Sequence, residues 1–145
     1  MACEDSDPIQ VVLRVQQMWN ARDLEGLLAC FHSDYESVHP CHPERNFKGL
    51  VALRARWGAT FATLPDFQAG LGRCAAMGHT AWTEWCWQGT HASGAVYESA
   101  GVMIFEIVED LIVSAHVYSD MLPREELDWD NVLGELLDNQ SETLE

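Results

Sequence analysis

The segment WTEWCWQGTH, residues 82–91, contains three of the six tryptophans of the chain within six positions. Its residue pattern predicts a β-strand, in which successive side chains point to opposite faces of a sheet. Trp85 and Trp87 then share one face, and Trp82 and Glu84 share the other. So much aromatic surface requires a core, a pocket or a partner subunit to cover it. The segment therefore predicts a strand that borders a core or a cavity.

Length and charge limit the classes of protein to which the chain can belong. With 145 residues, 48% of them hydrophobic, it is long enough for a single domain over residues 1–145. The formal net charge is −15, from 23 acidic and 8 basic residues. This charge argues against a nucleic-acid or an anionic membrane partner.

Cysteine spacing and apolar run length predict the cellular compartment. The five cysteines show no paired spacing, and the N-terminus has no signal-peptide pattern. Apolar stretches are far shorter than the roughly 20 residues of a membrane helix. We therefore expect a cytoplasmic protein with reduced thiols and no membrane partner.

Apolar periodicity predicts three helices in the N-terminal half. The three segments span residues 8–22, 23–31 and 48–64. Asp7 and Asp23 are the expected N-caps of the first two, and Pro65 ends the third. Trp19, Trp57 and Phe61 fall on the apolar stripes of these helices, a position typical of core residues as well as of a pocket wall.

The remaining segments alternate as strands do. A short strand is expected at residues 35–39, and four longer ones follow it at 67–76, 79–91, 96–108 and 111–120. The breaks between the four are short, which predicts hairpins and an antiparallel meander. The predicted class is α+β: a strongly curved, mostly antiparallel sheet covered by three N-terminal helices, forming a cone-shaped cup with a pocket inside.

An acidic extension follows this core, which spans about residues 8–120. Between residues 123 and 139, large apolar side chains recur at intervals of three and four residues against acidic positions. This spacing predicts a C-terminal amphipathic helix within the extension at residues 121–145. We expect its apolar stripe to be covered by the body of the protein or by a partner subunit.

Several short motifs carry a resemblance to a known superfamily. They are NARDLEGLLACFHSDY, VHP followed by NFKGL, LPDF, WCWQGTH and DLIVSAHVYSD. From about Pro8 to Asp120 the chain resembles the nuclear transport factor 2-like superfamily, in particular its SnoaL-like branch. That branch is related to ketosteroid isomerases, polyketide cyclases and limonene epoxide hydrolases. The resemblance implies the cup fold, and many relatives form homodimers.

The resemblance also assigns roles to positions. His39, in VHP, occupies the place of the carboxylate base of ketosteroid isomerases, and its ordinary pKa near neutrality suits a base. Val15 and Gly101 replace the tyrosine and the protonated aspartate of their oxyanion hole. The epoxide hydrolase relay positions hold residues that cannot titrate: Trp85, Trp87 and Val117. Isomerisation or epoxide opening by those mechanisms is therefore not expected.

Two further candidates depend on geometry. Asp120 is a second catalytic candidate at the end of the last strand, but the apolar set Leu111, Val113, Ala115 and Val117 is expected to face the interior and would turn Asp120 outward. The HPCH segment, residues 39–42, holds two imidazoles and a thiol, yet its short spacing across prolines keeps them from converging. No metal site is predicted.

We therefore expect a pocket that binds a small apolar or aromatic molecule. Its predicted ligand-binding residues are Trp19, Trp57, Phe61, Trp85, Trp87, Phe105 and Val117. If the protein is an enzyme, the resemblance implies isomerase or cyclase chemistry with His39 as the base and no cofactor. The alternative is a non-catalytic module that binds a ligand or a protein. The outer face of the sheet, around Trp82, Val102 and Ile104, is expected to form a homodimer.

Overall fold

The computed structural model describes residues 7–122. The helices are α1 (Pro8–Ala21), α2 (Leu24–Leu28) and α3 (Leu50–Thr63), with a 3-10 turn at Pro43–Arg45. The strands are β1 (Phe31–Val38), β2 (Phe47–Lys48), β3 (Gln68–Met77), β4 (Thr80–Thr90), β5 (Val96–Val108) and β6 (Leu111–Met121). The predicted C-terminal helix at 123–139 lies outside the described residues.

Helix α1 begins and ends as its sequence predicts. The Asp7 side chain accepts a hydrogen bond from the Ile9 backbone N–H at 3.0 Å, which satisfies a free donor of the first turn. Arg22 adopts a left-handed conformation with φ of 53° and closes the helix. The stripe that faces the sheet is fully buried and consists of Val11, Val12, Val15 and Trp19.

The second helix is shorter than predicted. Asp23 caps it as expected, accepting a hydrogen bond from the Gly26 backbone N–H at 2.9 Å. The helix ends at Leu28, however, and Phe31 already belongs to β1. The reason lies in β6, where the Ile112 N–H donates to the Cys30 carbonyl at 2.9 Å. A strand pairing from distant sequence therefore replaces the last helical turn.

The six strands form one sheet in the order β2-β1-β6-β5-β4-β3. Only β1 and β6 are parallel among the five neighbouring pairs, so the prediction of a mostly antiparallel sheet is confirmed. The parallel pair places the end of β1 beside the end of β6. Val38 is opposite His116, and the residues that follow β1 therefore lie near the last residues of β6.

The expected inward set of β6 is partly wrong. Ile112, Ala115 and Val117 are buried, whereas Leu111 and Val113 are only half-buried. The cause is a bulge: Ile107 pairs with Ile112 and Glu106 pairs with Ser114, which leaves Val113 without a partner on β5. One extra residue exchanges the two faces of the strand, so alternation read across positions 111–117 fails.

Strand β4 alternates as predicted. Trp85 and Trp87 are 3% and 7% exposed on the concave face that the helices cover, and Trp82 is 53% exposed on the other face. Opposite Trp82 lies Ile104, and opposite Glu84 lies Val102. The convex face therefore carries an aromatic and aliphatic strip. Within residues 7–122, every helix is too short or too polar to cross a membrane.

Candidate functional site

A cavity of about 720 Å³ lies between the helices and the concave face of the sheet. Most of its wall is aromatic or aliphatic. The apolar lining includes Trp19, Phe31, Leu53, Trp57, Phe67, Trp87, Met103 and Val117. A volume of this size is that of a site for a small organic molecule.

Four tryptophans form a cluster at one side of the cavity. The Trp19 ring centroid lies 5.0 Å from that of Trp57, 4.9 Å from Trp85 and 6.3 Å from Trp87. Trp85 and Trp87 are stacked, with centroids 6.0 Å apart and an interplanar angle of 12°. These side chains come from α1, α3 and β4, so the cluster joins the helices to the sheet.

The structure places three of the seven predicted ligand-binding residues outside the cavity wall. Trp85 is buried behind Trp19, and its indole N–H donates to the Thr83 hydroxyl at 2.7 Å. Phe105 is fully buried in the core. Phe61 packs against Trp57 and Phe67. The sequence periodicity correctly identified buried aromatic residues. It does not distinguish residues that line the cavity from residues that are buried in the core behind the cavity wall.

Two indole N–H groups are unpartnered at this wall. Among residues 7–122, the buried Nε1 atoms of Trp19 and Trp87 have no hydrogen-bond partner. A buried donor without an acceptor costs about 1–3 kcal/mol.

A polar wall faces the tryptophans from the end of β1. Tyr35, Ser37 and His39 follow one another at every second position, so all three point into the cavity. The His39 Nε2 lies 3.1 Å from the Ser37 Oγ. The His39 backbone N–H donates to the Asn46 Oδ1 at 2.6 Å, which fixes the chain beyond the strand. His39 and Trp87 thus open onto the same space.

The protonation states of this wall suit acid–base chemistry. Partial burial lowers the pKa of His39 from its ordinary value of 6.5, and the charges of Arg56 and Arg45 lower it further. The imidazole is therefore neutral at pH 7 and can accept a proton. Burial raises the pKa of Tyr35 to about 12, against a hydrogen bond with Ser37 and the charge of Arg56. Its phenol remains a donor.

Asp120 lies at the rim of the cavity rather than in its interior. Its side chain is 74% exposed, and its Oδ2 lies 3.4 Å from the Nε2 of His42. The other ring nitrogen of His42, Nδ1, lies 3.5 Å from Glu44 Oε1. A hydrogen bond from the Met121 backbone, followed by one from His42, lowers the pKa of Asp120. The Asp120 carboxyl group is therefore ionised at pH 7, and it lies where the cavity opens to solvent.

Sequence reasoning missed two arginines and two of the polar residues on β1. Arg45 and Arg56 both line the cavity, as do Tyr35 and Ser37. Arg56 lies directly before Trp57 at the edge of the apolar stripe of α3, and it is exposed to solvent. Periodicity therefore assigns it to the polar face of the helix.

The histidines of the HPCH segment point to different partners. His39 contacts Ser37, His42 contacts Glu44 and Asp120, and Cys41 is exposed. In the part of the chain that the structure describes, no group of three or more His, Cys, Asp or Glu side chains is placed to hold a metal ion.

Comparisons with known proteins agree on the fold. Residues 12–115 match the family model described as a SnoaL-like domain. No curated protein matches the chain.

Three solved structures illustrate the likeness. The chain is 20% identical to wild-type IdmH, a putative polyketide cyclase from Streptomyces antibioticus, with a TM-score of 0.69 over 79% of this chain and 92% of that one. AclR, a putative hydroxylase from Streptomyces galilaeus, is 16% identical with a TM-score of 0.70, covering 83% of each chain. TerC, co-crystallised with polyporic acid, is 17% identical with a TM-score of 0.66, covering 78% and 91%.

Proposed function

The chain belongs to the SnoaL-like domain family, and we propose that it binds a small, largely apolar or aromatic molecule and performs acid–base chemistry of the isomerase or cyclase type. The observation that carries this proposal is the Tyr35, Ser37 and His39 wall in a mostly apolar cavity of about 720 Å³. A putative polyketide cyclase and a protein co-crystallised with polyporic acid share the fold, which supports the ligand class.

His39 acts in this proposal as the general base. Its neutral imidazole removes a proton from a carbon next to a ligand carbonyl, and the electron pair of that C–H bond becomes an enolate. The Tyr35 phenol donates a hydrogen bond to the enolate oxygen, and Ser37 orients the imidazole. The imidazolium then returns the proton to another carbon or to an oxygen. The cycle consumes no oxidant and no cofactor.

Binding can be tested with a neutral aromatic probe. We expect 2-acetonaphthone to quench tryptophan fluorescence, because Trp19, Trp57 and Trp87 line the cavity. Trp87→Phe should weaken binding about three- to tenfold, since an aromatic contact contributes roughly 0.5–1.5 kcal/mol beyond its area. Trp82→Phe is the matched control on the opposite face of the same strand, and it should leave the affinity unchanged. Equal losses in both variants would contradict a ligand in this cavity.

Turnover separates an enzyme from a non-catalytic module. The probe is 5-nitrobenzisoxazole, from which a base removes the ring C–H proton while the N–O bond breaks to give a cyanophenolate. We expect the protein to accelerate this reaction, and 2-acetonaphthone to inhibit it competitively. Binding of 2-acetonaphthone without acceleration would instead support the alternative, a ligand-binding module of the same fold.

We further propose that the chain forms a homodimer through the convex sheet face. Trp82 and Tyr118 are 53% and 41% exposed there, and a second copy of the same face would cover both. We expect a dimer by sedimentation at micromolar concentration and a monomer for Trp82→Arg. Val51→Arg changes an exposed apolar residue of α3 by the same charge and should stay dimeric. A monomeric wild-type protein would exclude this interface.

We also propose a cytoplasmic location. Four cysteines in residues 7–122 are free, namely Cys30, Cys41, Cys74 and Cys86. Free thiols are typical of a reducing compartment, which supports a cytoplasmic location.

A further inference from the structure

Four of the seven basic side chains in residues 7–122 form no ion pair with a described residue, and two of these four line the cavity. Lys48, Arg54 and Arg73 form surface ion pairs with Glu36, Glu25 and Glu84. Arg45 and Arg56 line the cavity instead, and neither has a carboxylate oxygen within 4.0 Å among the described residues. In a chain of net charge −15, these two guanidinium groups at one cavity form no ion pair within residues 7–122.

Arg56 is held in place by an aromatic ring. Its Cζ lies 4.5 Å from the centroid of the Phe47 ring on β2, a cation–π distance. The positive charge of Arg56 lowers the pKa of both His39 and Tyr35. The guanidinium group therefore stands near the polar wall from the side of α3, while the side chains of that wall come from β1.

The nearby carboxylates affect Arg45 more than Arg56. Asp120 and Glu44 both face ring nitrogens of His42. The positive charge of Arg45 lowers the pKa of Asp120 as well as that of His39. The Asp120 carboxylate at the rim therefore balances part of the Arg45 charge. Arg56 is the cation with the larger effect on His39. Arg56, which is exposed to solvent on α3, is therefore a cation at the polar wall with no ion pair among the described residues.

We infer that Arg56, assisted by Arg45, recognises an anionic oxygen group, of the carboxylate class, on an otherwise aromatic ligand. This inference rests on the proposed function and specifies its ligand. A guanidinium group presents a planar fork of N–H donors that matches a carboxylate. The aromatic part of the ligand contacts the tryptophans, and its carboxylate lies at the end of the cavity that holds Arg56. Arg56 is thus a specificity-determining residue.

A pair of ligands with the same ring system tests this assignment. The affinities of 2-naphthoate and of neutral 2-acetonaphthone are measured by tryptophan quenching, at about pH 7.5, where the carboxylate is ionised. We expect wild-type protein to bind 2-naphthoate about tenfold more tightly. A tenfold preference is the scale of a partly solvent-screened ion pair with good geometry. The preference should decrease as the salt concentration rises.

Arg56→Gln should reduce the preference to about twofold or less, and Arg45→Gln should reduce it by a smaller factor. Measurable binding of 2-acetonaphthone reports that each variant keeps a folded cavity, and the preference is the ratio of the two affinities measured on the same variant. Arg54→Gln is the matched control, because Arg54 lies two residues earlier on α3 and pairs with Glu25 outside the cavity. It removes the same charge and should keep the wild-type preference.

Three results would overturn the inference. If 2-acetonaphthone binds and 2-naphthoate binds no better, the anion site is wrong while the proposed function stands. If neither ligand binds, the proposed function fails together with the inference. If Arg54→Gln lowers the preference as much as Arg56→Gln, the preference comes from the overall charge of the protein and not from a contact with Arg56.

Discussion

His39→Gln is expected to slow the opening of 5-nitrobenzisoxazole by about 100-fold or more. A positioned general base contributes roughly 10²–10⁴-fold to a rate, and the glutamine amide cannot accept the proton. The variant keeps a polar group near Ser37, whose Oγ lies 3.1 Å from the imidazole. We therefore expect a melting temperature close to that of the wild type, and initial rates at saturating probe concentration measure the effect.

Histidines elsewhere provide the controls for this result. His79 lies in the β3–β4 turn, away from the cavity, and His79→Gln should retain the wild-type rate. His91 also lines the cavity, but its Nδ1 is 2.7 Å from the Ser93 Oγ within a turn. A loss of turnover in His91→Gln or Asp120→Asn, with His39→Gln fully active, would transfer the role of base to one of those residues.

The pH dependence should agree with the lowered pKa of His39. Turnover requires the neutral imidazole, so the rate should fall on the acid side with a midpoint below 6.5, the ordinary value. The free energy of unfolding should also rise with pH between the folded pKa and 6.5, because in that interval the unfolded chain binds more protons than the folded one. Both effects should be absent in His39→Gln.

Gly101→Ala is expected to destabilise the fold by about 3 kcal/mol, at the upper end of the range for an overpacked interior. A Cβ at this position of β5 would lie 2.1 Å from the Tyr118 carbonyl oxygen and 2.5 Å from the Ser119 Cα. Both are backbone atoms of β6, so a rotamer change cannot relieve the clash. Thermal and urea unfolding measure the loss, which is a large fraction of the stability of a typical domain.

Gly58→Ala in α3 is the matched control for the glycine on β5. Its Cβ would meet only the Leu24 side chain, at 3.7 Å, an ordinary contact. Alanine is favoured over glycine in a helix by about 1 kcal/mol, so this variant should be slightly more stable. A Gly101→Ala protein as stable as the wild type would show that β5 and β6 can separate locally at no cost.

The close approach of β6 to Gly101 leaves no room for a side chain at this position. The resemblance to ketosteroid isomerases implies a protonated aspartate at the place of Gly101 and a tyrosine at that of Val15, which is fully buried in the core. In the proposed site the hydrogen-bond donors are the hydroxyl groups of Tyr35 and Ser37, which lie on β1. His39 follows this strand directly. The oxygen-binding groups of the proposed site therefore face the cavity from β1.

Local patterns in the sequence determined the positions of the three helices, the four long strands of the meander and the inward face of β4. Asp7 and Asp23 cap helices because their side chains satisfy backbone donors two or three residues away. Trp85 and Trp87 face inward because alternation on an uninterrupted strand is a property of the backbone. The family motifs likewise placed His39 at the end of the first strand, where the structure has it on the cavity wall.

Only the tertiary structure decided which buried residues line the cavity and which cations reach its polar wall. The Val113 bulge depends on the pairing of β6 with β5, and the early end of α2 depends on the pairing of Ile112 with the strand beginning at Phe31. The charge of Arg56 lowers the pKa of His39 because α3 packs against β1, although 17 positions separate the two residues in the chain. Such contacts depend on how distant elements pack, and residue periodicity records burial but not distance from a cavity.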